Sequence, residues 1–192
     1  MPETPRPAQQ QAPEFWSDMI AQNSGKSVAQ LADETPVLLV FLRHFGCSFC
    51  REAMADIAKR RGRLEKKGLR IVFVHMAPEP KEAEKFFKKY KLHPIEHVSD
   101  PEKRFYRAFG LDRGTPGQLF GLMNWIRGFQ GGVIEGHGFA YQNENLGDGF
   151  QMPGVFVLHK GAVIHSFVHA HAWDRPDYEA IAGQYMDSLP DS

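Results

Sequence analysis

The stretch VLLVFLRHFGCSFCRE, residues 37–52, decides the fold, because an apolar run in it leads directly to a pair of cysteines. The run VLLVFL at 37–42 is continuous and β-prone, and it has the length of a strand buried on both faces. Cys47 and Cys50 follow it closely, in a C-x-x-C spacing. Beyond Cys50 the apolar residues recur at helical spacing, so the cysteines lie where a strand gives way to a helix.

The segment after the cysteines predicts a helix that leads into a second buried strand. Between residues 47 and 67 one helical stripe is apolar, and it consists of Cys50, Met54, Ile57 and Leu64. Gly68 marks a stop, and RIVFVHM at 70–76 again has the pattern of a buried strand. A strand, a helix and a strand with short connections form a βαβ unit with parallel strands. The cysteine pair therefore lies at a strand end, where open α/β sheets place their chemistry.

The rest of the chain completes the layout of a mixed sheet. Further elements are predicted as short helices within 14–32, helices over 79–92 and 101–109, an edge strand at 95–99, a hairpin within 154–169 and a closing helix over 176–186. A βαβ half followed by a hairpin and a last helix predicts an α/β fold, in which helices flank a mixed central sheet.

Residues 14–192 are predicted to form a single domain. Residues 1–13 contain four prolines and no apolar periodicity, so we predict a flexible N-terminal arm. The glycine-rich segment from about 114 to 152 is predicted to be an insertion before the strand that begins at 154, with a helix over 116–129. This insertion either roofs the active site, contacts a second copy in a homodimer or simply packs, and these alternatives stay open.

Composition and charge exclude several classes of function. The chain has 192 residues and 21.8 kDa, with 23 Lys and Arg against 23 Asp and Glu and a pI near 7.1. The balanced charge argues against nucleic-acid binding, and the main apolar run at 37–42 is too short to cross a membrane. The first residues lack a basic segment followed by an apolar stretch, so we expect no secretory signal and a cytoplasmic location.

The cysteine pair has the spacing of a redox site. In a chain without an export signal, two cysteines in a C-x-x-C spacing indicate redox or metal chemistry. Cys47, as the first residue of the predicted helix, lies near the positive helix end, which lowers the pKa of a thiol. We therefore predict that Cys47 is the attacking sulfur and that Cys50, more buried on the apolar stripe, resolves the intermediate. Arg43 and Arg51 flank the pair and could add to the positive field, while His44 could act as a base, act as an electrostatic partner or simply pack.

Other interpretations of these residues stay open. The two cysteines could pack in the core without reacting. His44, Cys47 and Cys50 also form an H-x-x-C-x-x-C ladder, although a structural zinc site needs four ligands and no second cysteine pair exists. Three further histidines would share one face of an extended strand without converging as ligands do: His165, His169 and His171. We expect neither a metal nor a cofactor.

The stretch at 37–52 resembles the selenoprotein L-related branch of the alkyl hydroperoxide reductase/thiol-specific antioxidant superfamily. Two further segments resemble the superfamily, DPEKRFYRAFGLDRG at 100–114 and GDGFQMPGVFVLHKGAVIHSF at 147–167. The resemblance spans roughly 35–185 and implies a thioredoxin-like fold with a peroxiredoxin-like redox site. In selenoprotein L both motif positions are selenocysteines, which implies redox use of both positions here.

The resemblance also implies roles for residues outside the cysteine pair. Thioredoxin-like folds place a cis proline directly before a strand, where the proline faces the two-cysteine motif. Met152–Pro153 stands at this position here. The resemblance implies that the backbone beside this proline offers a docking edge for an extended substrate. Peroxiredoxins carry Pro-x-x-x-Thr-x-x-Cys, in which the threonine and a distant arginine orient the peroxide. With Cys47 as the attacking position, Val40 stands in the place of the proline and His44 in the place of the threonine.

These observations predict a thiol–disulfide oxidoreductase with a role in antioxidant defence or redox homeostasis. In this prediction Cys47 and Cys50 are the redox pair, with Pro153, His44 and Arg43 as further site residues. A thiol-dependent peroxidase acting on small or lipid peroxides is the alternative, and a non-enzymatic metal-binding or interaction module is the second alternative. The expected partners are a protein disulfide or a peroxide as substrate and an external thiol reductant of the thioredoxin or glutathione type, with neither nucleic acid nor membrane.

Overall fold

The central strand of the sheet is the apolar run that precedes the cysteines. In the computed structural model, which describes residues 14–115, 117 and 148–187, strand β1 comprises Val37–Phe41 and all of its side chains are buried. A strand that is apolar on both faces needs a covering layer on each side. The predicted arm at 1–13 and the predicted helix at 116–129 lie outside the described residues, apart from position 117.

The other elements follow one another nearly as predicted. After β1 the described strands are β2 (Arg70–His75), β3 (Glu96–Ser99), β4 (Gly154–His159) and β5 (Ala162–Val168). A 3₁₀ helix at Glu14–Ser17 precedes the helices α1 (Val28–Glu34), α2 (Ser48–Lys66), α3 (Pro80–Lys89), α4 (Arg104–Ala108) and α5 (Tyr178–Asp187). Among the described residues, no helix combines the length and the apolar character needed to span a bilayer.

The sheet is mixed, with the strand order β3-β2-β1-β4-β5. Strand β1 is parallel to β2, and β2 is parallel to β3, as the βαβ pattern predicts. Strand β4 lies antiparallel to β1 on the other side and forms the predicted hairpin with β5. The prediction of an α/β fold with a mixed central sheet flanked by helices is therefore confirmed.

Alternating side chains of β1 belong to two separate hydrophobic layers. Leu38 and Val40 pack into the layer that contains α2 and α5, whereas Leu39 and Phe41 pack into the layer that contains α1 and α4. Full burial of such a side chain contributes about 1.5–3 kcal/mol to stability. The contribution of α2 to the first layer is the predicted stripe of Cys50, Met54, Ile57 and Leu64. Cys50 is therefore both a member of the core and a member of the motif.

A buried tyrosine of α4 fixes the ends of the two central parallel strands. The Tyr106 hydroxyl lies within hydrogen-bond distance of the carbonyl oxygens of Leu42 and Val74, at 3.1 Å from the latter. The Leu42 N–H also donates to the Val74 carbonyl, at 2.9 Å. Burial raises the pKa of Tyr106 well above its usual value, so the hydroxyl keeps its proton. The loop that carries the cysteines thus starts from an anchored strand end.

Two histidines form a buried pair between β2 and β3. His75 Nε2 and His97 Nδ1 are 2.9 Å apart, and each residue is only 1% exposed. The rings of Phe45 and Phe87 surround them. Burial lowers the pKa of His75 to about 3, with a smaller contribution from His97, and burial also lowers the pKa of His97. Both imidazoles are therefore neutral at pH 7.

This pair predicts a loss of stability in acid. An unfolded histidine binds a proton near pH 6.5, whereas folded His75 does so only near 3, so stability falls as the pH drops from about 6.5 toward 3. For His75 alone the loss is about 2 kcal/mol at pH 5 relative to pH 7. In urea unfolding at several pH values, the double variant His75→Leu/His97→Leu should lose less stability in acid than the parent. An unchanged acid slope in the double variant would contradict the assignment.

Candidate active site

Cys47 is placed at the start of the motif helix by the backbone of the preceding loop. Helix α2 begins at Ser48, so Cys47 is its N-cap residue rather than its first residue. The Cys47 N–H donates to the His44 carbonyl at 3.0 Å, and the Cys47 carbonyl accepts from the Arg51 N–H at 3.2 Å. The first turn of α2 contains no acidic residue. A thiolate at Cys47 would therefore supply the negative charge that this helix end favours.

Arg43 contacts both sulfurs of the pair. Its guanidinium Nη1 lies 3.2 Å from Cys47 Sγ, and its backbone N–H donates to Cys50 Sγ at 3.1 Å. The other side of the guanidinium donates to the carbonyl oxygens of Gln151, at 3.1 Å, and of Gly149. The side chain is buried, with 6% of the residue exposed. The structure thus brings together Arg43 and both cysteines, three of the candidate site residues of the sequence analysis, and directs the Arg43 guanidinium at Cys47.

The pKa values of the two thiols are shifted in opposite directions. A hydrogen bond from Cys50 and the positive charge of Arg43 hold the pKa of Cys47 well below its usual range, against the opposing effect of burial. Burial raises the pKa of Cys50 well above its usual range, and the neighbouring Cys47 adds to this. Both cysteines are free thiols, and each is 4% exposed, so the expectation that Cys50 is the more buried sulfur is wrong. What distinguishes them is charge, because Arg43 directs its guanidinium at only one of them.

His44 is half-buried beside this pair. Burial lowers the pKa of His44, with the Cys47 thiolate acting in the opposite direction, so the ring is largely neutral at pH 7. Its backbone carbonyl accepts the Cys47 N–H, which orients the motif loop. The geometry therefore gives His44 a definite backbone role, while its side chain stays a predicted electrostatic partner.

Pro153 lies beside the pair, but its peptide bond differs from the expected one. Pro153 and Cys50 line the same cleft. Among the described residues the cis peptide bond is His93–Pro94, so Met152–Pro153 is trans and the predicted cis bond is wrong. A trans proline fits here because Pro153 directly precedes β4, a position that requires no ladder N–H from it.

A cleft opens next to Cys50 between α2 and the segment that precedes α5. Its lining combines apolar and aromatic side chains with a few polar ones, and it includes Phe49, Cys50, Pro153, His169, Trp173 and Tyr178. Cys47 is not among the residues that line it. At its rim Arg175 pairs with the buried Glu52 at 2.6 Å. His169, considered above as a metal ligand, is instead a cleft residue whose pKa burial lowers to about 4. Within 14–115 and 148–187 no group of three or more His, Cys, Asp or Glu residues could hold a metal ion.

The turn at residues 148–151 is a part of the site that the sequence analysis did not identify. Gly149 and Gln151 act through their backbone carbonyls, which hold Arg43. The Gln151 side chain is buried and donates to the Leu111 carbonyl at 2.6 Å. Every residue has a backbone carbonyl, so the sequence contains no signal for these two contacts. The one unusual feature of the turn is the buried glutamine, which becomes visible only when the fold is known.

Comparisons with known proteins agree with this architecture. The family model described as AhpC/TSA antioxidant enzyme matches residues 56–171, a region that begins after both cysteines. Prostamide/prostaglandin F synthase of Salmo salar is 33% identical over 172 residues, which cover 86% of this chain and 83% of the relative. Peroxiredoxin-like 2C of Bos taurus is 27% identical over 175 residues, which cover 82% of this chain and 71% of the relative.

A solved structure shows the same fold. Peroxiredoxin Q of Xanthomonas campestris superposes with a TM-score of 0.59 at 17% identity, over 91% of this chain and 92% of that chain. At this identity the likeness concerns the fold alone, and it confirms the predicted thioredoxin-like architecture. Since the family model covers more than half of the 192 residues, the chain belongs to the AhpC/TSA antioxidant enzyme family, with its peroxiredoxin-like, thioredoxin-like fold.

Proposed function

We propose that this protein is a thiol–disulfide oxidoreductase whose redox pair is Cys47 and Cys50. The observation that carries the proposal is the contact of Arg43 with both sulfurs, through its guanidinium at Cys47 and its backbone N–H at Cys50. This arrangement supplies one activated thiolate and one protonated partner on the same helix turn.

The proposed reaction moves two electrons from the pair to a substrate disulfide. The Cys47 thiolate attacks one sulfur of the substrate, forms a mixed disulfide and releases the other sulfur as a thiolate. Cys50 then loses its proton and attacks Cys47 Sγ, which releases the second substrate thiol and closes the Cys47–Cys50 disulfide. Two electrons from an external thiol reductant, of the thioredoxin or glutathione type, restore the two thiols.

The Arg43 contact also bears on the direction of the reaction. A stabilised Cys47 thiolate stabilises the reduced pair, and a stabilised reduced form makes the corresponding disulfide a stronger oxidant. The thiolate is also a good leaving group, because the rate of exchange rises as the pKa of the departing thiol falls. We therefore place the pair toward the oxidising end of the catalytic dithiols. An external thiol reductant then restores the pair readily, and the substrate disulfides that the pair reduces are still stronger oxidants.

A thiol-dependent peroxidase is the second candidate function. In that reaction Cys47 attacks the O–O bond and becomes a sulfenic acid while an alcohol or water leaves, and Cys50 then forms the disulfide with loss of water. The family membership and the relative named Peroxiredoxin-like 2C support this candidate. However, Val40 and His44 occupy the places of the proline and threonine that orient peroxide in peroxiredoxins.

Placement in the selenoprotein L-related branch, a cytoplasmic location and a homodimer remain parts of the proposal. The non-enzymatic alternative, an interaction or metal-binding module, predicts that the two thiols never exchange. A redox experiment separates it from both enzymatic candidates.

Titration of the pair against a redox buffer is the first test of the proposal. We expect one cooperative two-electron transition between about −300 and −120 mV, read by mass after alkylation of Cys47 and Cys50. The transition should lie toward the less negative limit, because the Cys47 thiolate is stabilised. No intramolecular disulfide anywhere in this range would reject both enzymatic candidates.

A trapping experiment distinguishes the two reactions. In Cys50→Ser the resolving sulfur is missing, so a disulfide substrate should stay attached to Cys47 as a mixed disulfide, whereas peroxide should leave a Cys47 sulfenic acid detectable with a dimedone probe. Cys47→Ser serves as the matched control and should give neither species. A sulfenic acid without any mixed disulfide would favour the peroxidase.

Loss of the Arg43 guanidinium should weaken the Cys47 thiolate. In Arg43→Gln we expect the pKa of Cys47 to rise by about one unit or more, measured from the pH dependence of iodoacetamide alkylation at Cys47. Arg51→Gln is the matched control, because the Arg51 Nε donates to the Phe45 carbonyl rather than to a sulfur. Equal profiles for the two variants would contradict the role of Arg43.

A further inference from the structure

Asp148 joins two basic side chains at the edge of the candidate site. Its carboxylate lies 2.7 Å from Lys103 Nζ and 3.0 Å from Arg113 Nε, and its side chain is only 16% exposed. The Phe150 N–H donates to the same carboxylate at 2.9 Å. Although burial acts to raise the pKa of Asp148, the hydrogen bonds from Lys103 and Phe150 and the two positive charges keep it below its usual value. Asp148 is therefore a carboxylate at neutral pH.

The turn that begins at Asp148 is held on its outer side. The Gln151 N–H returns to the Asp148 carbonyl at 3.2 Å, and the Gly114 N–H donates to the Phe150 carbonyl at 2.7 Å. The Met152 N–H donates to the Asp112 carbonyl at 3.2 Å. The bonds to Gly114 and Asp112 and the ion pair with Arg113 connect the turn to the segment that follows α4, whereas the ion pair with Lys103 connects it to the N-cap of that helix.

The inner side of the same turn faces the arginine of the site. The carbonyl oxygens of Gly149 and Gln151 accept hydrogen bonds from the Arg43 guanidinium. The third contact of that guanidinium is Cys47 Sγ, at 3.2 Å. Thus a continuous series of contacts connects Asp148 to the attacking sulfur through Arg43, although no direct contact between Asp148 and Cys47 is found among the described residues.

We propose that Asp148 is a positioning residue which, together with Lys103 and Arg113, holds the turn at 148–151 so that its carbonyls fix Arg43 on the Cys47 sulfur. The proposal deepens the proposed function, because it concerns the group that activates Cys47. Without the Asp148 carboxylate, the turn keeps its backbone hydrogen bonds but loses its ion pairs on the outer side, and we expect Arg43 to lose its fixed orientation. The titratable and charged groups that act most strongly on Cys47 are Cys50, Arg43 and His44. The Asp148 charge also acts to raise the pKa of His44, so the experiment includes a variant that keeps the net charge and separates this effect from the loss of the Arg43 orientation.

The sign of one measurement separates positioning from a direct charge effect. Asp148→Asn removes a negative charge, which by simple Coulomb attraction would make the Cys47 thiolate more favourable and lower the pKa of Cys47. Loss of the Arg43 orientation has the opposite effect. We expect the apparent pKa of Cys47, measured from the pH dependence of its alkylation by iodoacetamide, to rise by about one unit in Asp148→Asn, so that alkylation slows up to about tenfold at pH values below the pKa of the parent.

Two further variants complete the experiment. Asp18→Asn is the matched control, because it removes the carboxylate of an exposed ion pair with Arg104, and it should keep the parent profile. The double variant Lys103→Asn/Asp148→Asn keeps the net charge of the parent and does not leave Lys103 without its partner. Asparagine also tolerates the left-handed backbone of residue 103, where φ is 57°. This double variant should show the same rise in the Cys47 pKa, and it decides the question if Asp148→Asn fails to fold.

The outcomes are distinct from those of the proposed function. Alkylation of Cys47 needs neither a substrate nor a redox cycle. The positioning role of Asp148 can therefore fail while the redox pair is confirmed, and it can hold while the redox titration fails. An unchanged or lowered Cys47 pKa in a folded Asp148 variant would overturn the positioning role. A thermal melt recorded on each variant verifies the fold, and a lowered melting temperature with an unchanged pH profile would likewise assign Asp148 a purely structural role.

Discussion

The constraint on which the site depends is a buried arginine to which the described residues offer no carboxylate partner. In the described part of the chain, the Arg43 guanidinium contacts two carbonyl oxygens and one sulfur, and no ion pair is found for it there. An uncompensated buried charge costs several kcal/mol. A thiolate at Cys47 is the anion best placed to offset that cost, and closing a disulfide would remove it. The geometry that activates the sulfur therefore also favours the reduced state of the pair.

Three separate parts of the chain meet to satisfy this constraint. Strand β1 ends at Phe41 and delivers Arg43 just beyond its anchored end, and helix α2 begins with Cys47 as its cap. The turn at 148–151 then provides the carbonyls that complete the shell of the guanidinium. The apolar stripe of α2 fixes the orientation of the helix against β1, so packing in the core determines where both sulfurs lie.

Local periodicity explains which parts of this arrangement could be predicted. The apolar run at 37–42 and the stripe from Cys50 to Leu64 differ in period, and that change located both the strand–helix junction and the cysteine pair. The carbonyls of Gly149 and Gln151 could not be predicted, because they lie 106 and 108 residues from Arg43 and carry no side-chain signal. The His75–His97 contact depends likewise on the register of β2 and β3.

The cis bond at Met152–Pro153 was an incorrect prediction for a different reason. It was transferred from the resemblance, and a proline at the start of a strand is equally compatible with a trans peptide bond. The prediction that Cys50 is more buried than Cys47 was also incorrect. A position on the apolar stripe predicts the burial of Cys50, but it does not predict that Cys47 is exposed. The capping loop and the Arg43 side chain, which the turn at 148–151 holds in place, contact Cys47 in a way that helical spacing does not describe.

The position of β4 in the sheet has a consequence for the order in which the chain is synthesised. Strand β1 receives β4 as its second neighbour, and Arg43 receives its two carbonyls, only from residues beyond 148. A nascent chain that ends before this point lacks the two carbonyls that hold the Arg43 guanidinium and the second neighbour of β1. The site is therefore completed late in synthesis, after the turn at 148–151 and strand β4 have left the ribosome.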